Sequence, residues 1–383
     1  MKKNNSIILL IIISISVALT FQGIVFAKDR HLNYFVKYFI KNRIKKTEVN
    51  IKEKTKAPNP FKAIYLTVNT ISSTYGNTLV DNLIKNKGNA VVIDVQHGDG
   101  LLAFRPKNSL LKRLNPGSDK IKNFPEIIKK LHEKNIYVVA RQVVFNDYFL
   151  GSRNPNLRIK NKWGGYYKSE WLDPSKAMVQ NYNIYLMMEL ADMGFDEIQF
   201  DYIRFPATTN SYLDYNYNEE KFTRADVINN FLKKASNVAE EYKINLSADV
   251  FGAIVWGNVD WKIVGQNTEE MAKYLDAIYP MTYPSHVNPG YYGHNNVWNN
   301  PYNFVHNSIK LFIEKANGKA EIRTWIQGFP LHSPGFSTNY IKTQIQASFD
   351  AGASGYSVWS PNNKYNVTWP ALELNPKIET EEN

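Results

Sequence analysis

A chain of 383 residues has room for one large domain or two small ones with an ample core, and 44% hydrophobic with 21% charged residues excludes disorder and collagen. The absence of cysteine removes disulfide scaffolds, thiolate zinc sites, cysteine nucleophiles and iron–sulfur chemistry. A formal net charge of +11 suggests a nucleic-acid binder until the charges are located: about +2 lies in 1–27, about +8 in 28–62 and about −2 in 377–383, leaving about +3 for 63–376. No nucleic acid is therefore expected as a partner.

Lys2 and Lys3 precede a run over 7–26 that is apolar except for Ser14, Ser16, Thr20 and Gln22, and Val25-Phe26-Ala27 offers a signal-peptidase site. Residues 1–27 thus read as a signal peptide, although a run of about twenty residues also spans a bilayer as an uncleaved anchor. The more basic flank follows the run, which by the positive-inside rule would keep it cytoplasmic. In a Lys- and Asn-rich chain that signal is discounted. Export is expected, with the protein extracellular or held at the outer face of the cytoplasmic membrane. The basic linker 28–61, in which Leu32, Phe35, Phe39 and Ile44 recur at helical spacing, would associate with a membrane or wall surface.

From residue 63 short β-branched runs alternate with helical patterns. The runs are 63–69 (AIYLTVN), 90–96 (AVVIDVQ), 136–145 (IYVVARQVVF), 197–205 (EIQFDYIRF), 245–252 (NLSADVFG), 277–283 (AIYPMTY), 321–328 (EIRTWIQG) and 355–360 (GYSVWS). Helical patterns fall at 78–87, 125–134, 177–193, 224–243, 268–275, 302–316 and 338–351, with Asn135, Gly194, Gly318 and Gly352 placed as stops. Repeated strand–helix–strand units require parallel pairing with right-handed crossovers, and continuous apolar strands mean that both sheet faces are covered. The expected fold is α/β, a (β/α)8 TIM barrel over 62–376 with an acidic tail at 377–383; a doubly wound sheet is the alternative.

In a barrel, polar residues at the C-terminal strand tips read as functional, because the same residues mid-strand would be costly buried charges. The tips supply Asp94 and Gln96, followed by His97 and Asp99; then Arg141; Asp201 and Arg204; Asp249; Tyr283 and His286; and Trp359. Asp201 and Asp249 on adjacent strands, about 4.8 Å apart, could share one bond as an ionised and a protonated carboxyl, as glycoside hydrolysis requires. Structural alternatives are an ion pair of Asp201 with Arg204 or Arg141 and loop capping by Asp249. Asp94 could orient a hydroxyl or serve as a third acid; His97 and Asp99 could ligate a metal but more simply form a turn. Aromatic residues crowd the loops on that face: Trp163, Tyr166, Tyr167 and Trp171; Tyr212, Tyr215 and Tyr217; Trp256 and Trp261; Tyr291, Tyr292 and Trp298. Their rings suit sugar faces, or else form small loop cores.

The motifs DYIRFP, ADVFG and YPMTYPSH, in that order, resemble the glycoside hydrolase TIM-barrel family of bacterial secreted proteins over 62–372. More broadly that family is similar to retaining α-glycosidase barrels. The resemblance implies hydrolysis of a polysaccharide or oligosaccharide without metal or cofactor, with Asp201 as nucleophile and Asp249 as acid. Asp94, Gln96, Arg141, Arg204, Tyr283, His286, Trp256 and Trp359 are the candidate substrate contacts. Ile203 stands where chitinases carry a Glu, and Gln327 where Glu-pair glycosidases carry theirs, which argues against both chemistries. Adjacent strands favour the short carboxylate separation of a retaining enzyme, about 5–5.5 Å. The rival reading is a non-catalytic carbohydrate-binding or envelope barrel; a phosphate site at 352–355 is a third.

Overall fold

A computed structural model describes residues 53–209, 212–257 and 260–375. The apolar run at 7–26, the helical patch at 32–44 and the acidic tail lie outside them. Among the described residues no helix is long and apolar enough to cross a membrane.

The eight expected strands form a closed parallel barrel in sequence order: β1 Phe61–Leu66, β2 Ala90–Asp94, β3 Tyr137–Val143, β4 Glu197–Asp201, β5 Asn245–Phe251, β6 Ala277–Met281, β7 Glu321–Gln327 and β8 Gly355–Trp359, with β8 pairing back to β1. This is a (β/α)8 TIM barrel. The main helices are α1 Thr74–Lys85, α2 Phe124–Glu133, α3 Ala177–Met193, α4 Arg224–Tyr242, α5 Thr268–Met271, α6 Tyr302–Ala316 and α7 Thr338–Asp350. Beyond β8 the described chain offers a single 3-10 turn, Trp369–Ala371, where an eighth helix would lie. The helix between β5 and β6 is shorter than its pattern promised, because residues 272–276 leave α5 to enter β6.

The four residues singled out as helix stops all have left-handed backbones: φ is 57° at Asn135, 100° at Gly194, 69° at Gly318 and 94° at Gly352. Gly355 is glycine for a different reason. A Cβ there would sit 2.2 Å from the Phe61 carbonyl oxygen, at the seam where β8 closes on β1. The phosphate-loop reading of 352–355 thus gives way to a helix cap and a barrel seam. Gly355→Ala should cost about 1–3 kcal/mol by overpacking, read as a lowered urea midpoint with an unchanged slope.

Alternate strand residues line the interior, as period-2 geometry demands. Phe61, Ala63 and Tyr65 of β1, Val92 of β2, Tyr137 and Val139 of β3, Tyr279 of β6 and Trp325 of β7 belong to one buried cluster. Its lower layer holds a charge pair: the Glu197 carboxylate accepts from Arg323 at 2.8 Å, Tyr279 at 2.9 Å, Tyr137 at 3.0 Å and Ser247 at 2.5 Å, four donors that compensate its burial. Attachment to the barrel begins before β1. Lys54 bridges Glu240 at 2.6 Å and Asp276 at 2.9 Å, and the Asn245 amide donates to the Thr55 carbonyl, so the residues expected to end the linker strap across the N-terminal face.

On the opposite face the loop after β3 is pinned by Asp147, which caps the short helix Tyr148–Arg153 by accepting from the Leu150 N–H at 2.8 Å. Burial, with Asp99 nearby and against the capping hydrogen bonds, pushes its carboxyl up to about 7, and its Oδ2 has no partner. A carboxyl raised on folding is stabilising while protonated, and that contribution is lost as pH climbs from about 4 to about 7. Asp147→Asn keeps the capping oxygen and should therefore flatten the decline of the melting temperature between pH 5 and pH 8.

Candidate active site

Charge gathers in the top layer of the interior, just below the strand tips. Arg141, third from the C-terminal end of β3, stands in register with Asp94 of β2, and Val143 with Asp201 of β4. Inward alternation aims all three side chains at the axis. The Arg141 Nε donates to Asp201 Oδ2 at 3.0 Å and Nη2 donates to the same oxygen, while Nη1 donates to Asp94 Oδ1 at 2.6 Å. Asp249 Oδ2 lies 4.0 Å from the same Nε. The Oδ2 atoms of Asp201 and Asp249 are thus no farther apart than the sum of their two distances to one nitrogen. The paired carboxyls expected at neighbouring strand tips do meet, around a guanidinium.

Two residues that sequence reasoning passed over complete the arrangement. The Tyr65 hydroxyl donates to Asp94 Oδ2, and the Trp325 indole N–H donates to Asp249 Oδ1 at 2.6 Å. Tyr65 stacks on Trp359 with ring centroids 3.9 Å apart, and Arg141 lies over Trp359 at 5.0 Å. Tyr65 sits one residue and Trp325 two residues below the end of its strand. Alternation along AIYLTVN and EIRTWIQG, counted inward from the tips, is the signal that would have found them.

One guanidinium contacts Asp201 and Asp94 and lies 4.0 Å from Asp249. Burial raises Asp249 well above the usual carboxylate range, the Asp201 charge raises it further, and Arg141 and Trp325 oppose this incompletely. Burial also raises Asp94, against the opposing pull of Arg141 and the Tyr65 hydrogen bond. For Arg141 burial works against the charge, but Asp201 and Asp94 outweigh it and hold the guanidinium firmly cationic. Asp201 Oδ1 accepts from its neighbour's backbone N–H at 2.6 Å, with Tyr202 in the left-handed region at φ 52°. A tyrosine there stores strain, as residues beside functional centres often do.

The remaining candidates divide. Arg204 makes no ion pair with Asp201: its guanidinium lies 4.3 Å from the Phe251 ring and 4.8 Å from that of Trp171 and donates to the Phe205 carbonyl, and burial lowers its pKa. Tyr283 is buried beside the acids, its phenol pushed up by burial and by Asp249 and Asp201. His286 is exposed and packs on Tyr283 and Phe329. It lines a groove of about 620 Å³ together with Thr208, Phe251, Val287, Asn288 and Tyr291, contributed by the loops after β4, β5 and β6. Two expected contacts are engaged elsewhere. Gln96 is buried, accepting from the Val143 N–H at 2.9 Å and so tying the tips of β2 and β3 together. Trp256 donates to the Ser308 hydroxyl at 2.9 Å and stacks on Phe304, which anchors the β5 loop to α6 rather than presenting a ring to the mouth. Asp99 accepts from the Leu101 N–H at 3.0 Å, an Asx turn, and the His97 Nε2 lies 3.3 Å from the Ser118 hydroxyl. Among the described residues no group of three or more His, Asp or Glu side chains is arranged to hold a metal ion.

The barrel has counterparts of the same fold. The PgaB (BpsB) glycoside hydrolase domain from Bordetella bronchiseptica superposes with a TM-score of 0.62 at 13% identity, covering 84% of this chain and 99% of that one. A class V chitinase from Pseudomonas fluorescens Pf-5 superposes with a TM-score of 0.53 at 12% identity over 82% of this chain and 98% of that one. At such identities the likeness is one of fold. A hypothetical protein from Ruminiclostridium thermocellum ATCC 27405 is 33% identical over 49% of this chain and 97% of its own, with a TM-score of 0.43. No curated protein matches the chain. Residues 63–365, essentially the whole barrel, match one family along its length, and the chain belongs to that family, described as the putative glycosyl hydrolase domain.

Proposed function

We propose that the barrel hydrolyses O-glycosidic bonds of a polysaccharide, with Asp249 as general acid/base and Asp201 as nucleophile or charge stabiliser. The observation that carries the reading is the convergence of two carboxyls, Asp249, which burial pushes well above the usual range, and Asp201, on one guanidinium nitrogen. Asp249 would protonate the glycosidic oxygen as its bond to the anomeric carbon breaks, and Asp201 would attack or neutralise the developing oxocarbenium ion. In the retaining course water then cleaves the glycosyl–Asp201 ester while Asp249 takes back a proton. Membership of a glycosyl hydrolase family supports the substrate class. Export rests on the apolar run at 7–26, and N-terminal sequencing of the mature protein from culture medium and membranes tests it.

One observation favours a second reading, a non-catalytic carbohydrate-binding barrel: Arg141 donates twice to the Asp201 oxygen that would attack. A panel of bacterial and host glycans separates the two. An enzyme releases reducing ends from one of them, and Asp201→Asn loses that release while retaining binding; a binding module releases none.

Trp325→Phe gives a finer test. The indole N–H stabilises the ionised form of Asp249, so its loss should raise the carboxyl further. Activity that needs the protonated acid is lost as pH rises through that pKa, so the alkaline limb of kcat should move to higher pH with less than about a tenfold fall at the optimum. A limb that stays in place would break the link between Trp325 and the acid.

A further inference from the structure

The loops that carry the acids also build an aromatic surface that no catalytic step uses. Lys160–Asn161, after β3, pair antiparallel with Leu213–Asp214, after β4, and the tip of this ribbon carries Trp163. Trp163 is 77% exposed, the most exposed large hydrophobic side chain among the described residues. Its position is nevertheless fixed. The Asn161 side-chain oxygen accepts from the N–H groups of Trp163 and Gly165, each at 3.0 Å, and Gly164 takes φ 83° to close the turn. The Lys162 N–H donates to the Tyr212 carbonyl at 2.9 Å, which brings the Tyr212 ring onto one face of Trp163, centroids 5.3 Å apart and planes 26° from parallel. The other face is left to solvent.

The loops do not need Trp163 for their own core. Trp171 at 7% and Tyr215 at 5% exposure already fill it, packing with Tyr202 and Phe205. The ribbon is also rooted beside the acids. The Trp171 carbonyl accepts from the Ile159 N–H at 3.2 Å, and the Trp171 ring lies 4.8 Å from the Arg204 guanidinium and 6.2 Å from the ring of Tyr202, the residue after Asp201.

We propose that the Trp163–Tyr212 stack is a second glycan-binding site on the rim of the barrel. Its ligand is a linear β-linked polysaccharide whose equatorially substituted rings present flat C–H faces. An open indole face takes such a ring by stacking, and Lys160 and Lys162, exposed on the same ribbon, carry ammonium groups that can donate to ring hydroxyls. Size argues against a protein partner: two aromatic rings bury at most about 250 Å² each, well short of the ~800 Å² per side of a stable protein interface. The substrate class rests on the glycan-acting reading of the barrel, and the platform would keep the polymer over the mouth between cuts.

Affinity electrophoresis of the full chain tests this, in gels containing hydroxyethyl cellulose, carboxymethyl cellulose or glycol chitin, with α-linked dextran as control. Working in the Asp201→Asn, Asp249→Asn background removes turnover, so binding is read separately from hydrolysis. At least one β-linked polymer should retard the protein, dextran should not, and Trp163→Ala should weaken the retardation at least fivefold while Trp163→Tyr keeps most of it. Tyr212→Ala, which uncovers the second face of Trp163, should weaken it less than Trp163→Ala and guards against a folding defect in the latter. No retardation in any of the three polymers, or equal retardation of Trp163→Ala and its parent, overturns the platform. Retardation that depends on Trp163 alongside an absence of turnover in the unmodified chain overturns the hydrolase reading instead and leaves the platform in place.

Discussion

Asp249→Asn is expected to lower kcat on glycans about 10²- to 10⁴-fold, the range that a positioned general acid contributes, and to lower it far less on aryl glycosides. The difference follows from the leaving group. A sugar alkoxide cannot depart without a proton, whereas a nitrophenolate is stable enough to leave unprotonated, so its rate does not depend on a group that Asn cannot replace. The structure bears on which carboxyl plays this part. Asp249 is the acid raised well above its usual range by burial and by Asp201, and it has a free oxygen, since Trp325 occupies Oδ1 and leaves Oδ2 4.0 Å from Arg141. Because the raised carboxyl stays protonated to higher pH than an ordinary one, wild-type kcat should fall as pH rises through that raised pKa; the Asn variant should lack that limb. Initial rates on a polymer and on its aryl glycoside across pH 4–9 measure both effects. Equal losses on the two substrates would transfer the acid role elsewhere, with Asp94, also raised by burial, the next candidate.

How the sequence reveals some of this and hides the rest is visible in particular residues. Strand length, β-branched content and the positive-φ stops at Asn135, Gly194, Gly318 and Gly352 are local properties, and they located all eight strands within a few residues of their observed limits. Asp94, Asp201 and Asp249 were legible as strand-tip acids because a barrel turns position along a strand into position in space. What a side chain reaches is not local. Gln96 spends its oxygen on the Val143 N–H 47 positions away, and Trp256 spends its indole on Ser308 52 positions away, partners that spacing along the chain does not disclose. Trp325 was hidden for the converse reason. In EIRTWIQG it reads as a core residue, and it is one, but its N–H finds a carboxyl 76 positions earlier in the chain. The aromatic loops show the same division: Trp171 and Tyr215 went into loop cores, while Trp163 did not.

Arg141→Met should leave the chain folded at pH 5 and severely destabilised at pH 8. Removing one partner of a buried ion pair costs about 3–5 kcal/mol, because the other charge stays behind without compensation, and here Asp201 and Asp94 both lose their contacting cation and Asp249 a nearby one. Asp94 and Asp249 are already raised by burial; without the guanidinium they rise further. The sign follows from linkage. Carboxyls whose folded pKa exceeds the unfolded value of about 3.9 stabilise the fold while protonated, and that contribution disappears as pH rises through the raised folded values. The variant should therefore lose urea midpoint from pH 5 to pH 8 more steeply than wild type, in which Asp147, Asp94 and Asp249 already give a shallower slope of the same sign. Arg141→Lys should recover only part, since one ammonium cannot donate to Asp94 and Asp201 with the geometry of the fork. Adding Asp94→Asn to Arg141→Met removes one of the stranded charges and should recover part of the stability lost at pH 8. A pH-independent loss would mean that packing against Trp359, 5.0 Å from the guanidinium, outweighs charge at this position. The top layer of this barrel is thus held by an electrostatic balance in which burial pushes Asp249 and Asp94 upward against the pull of Arg141, and the same balance sets the range of pH over which the fold and the proposed chemistry coexist.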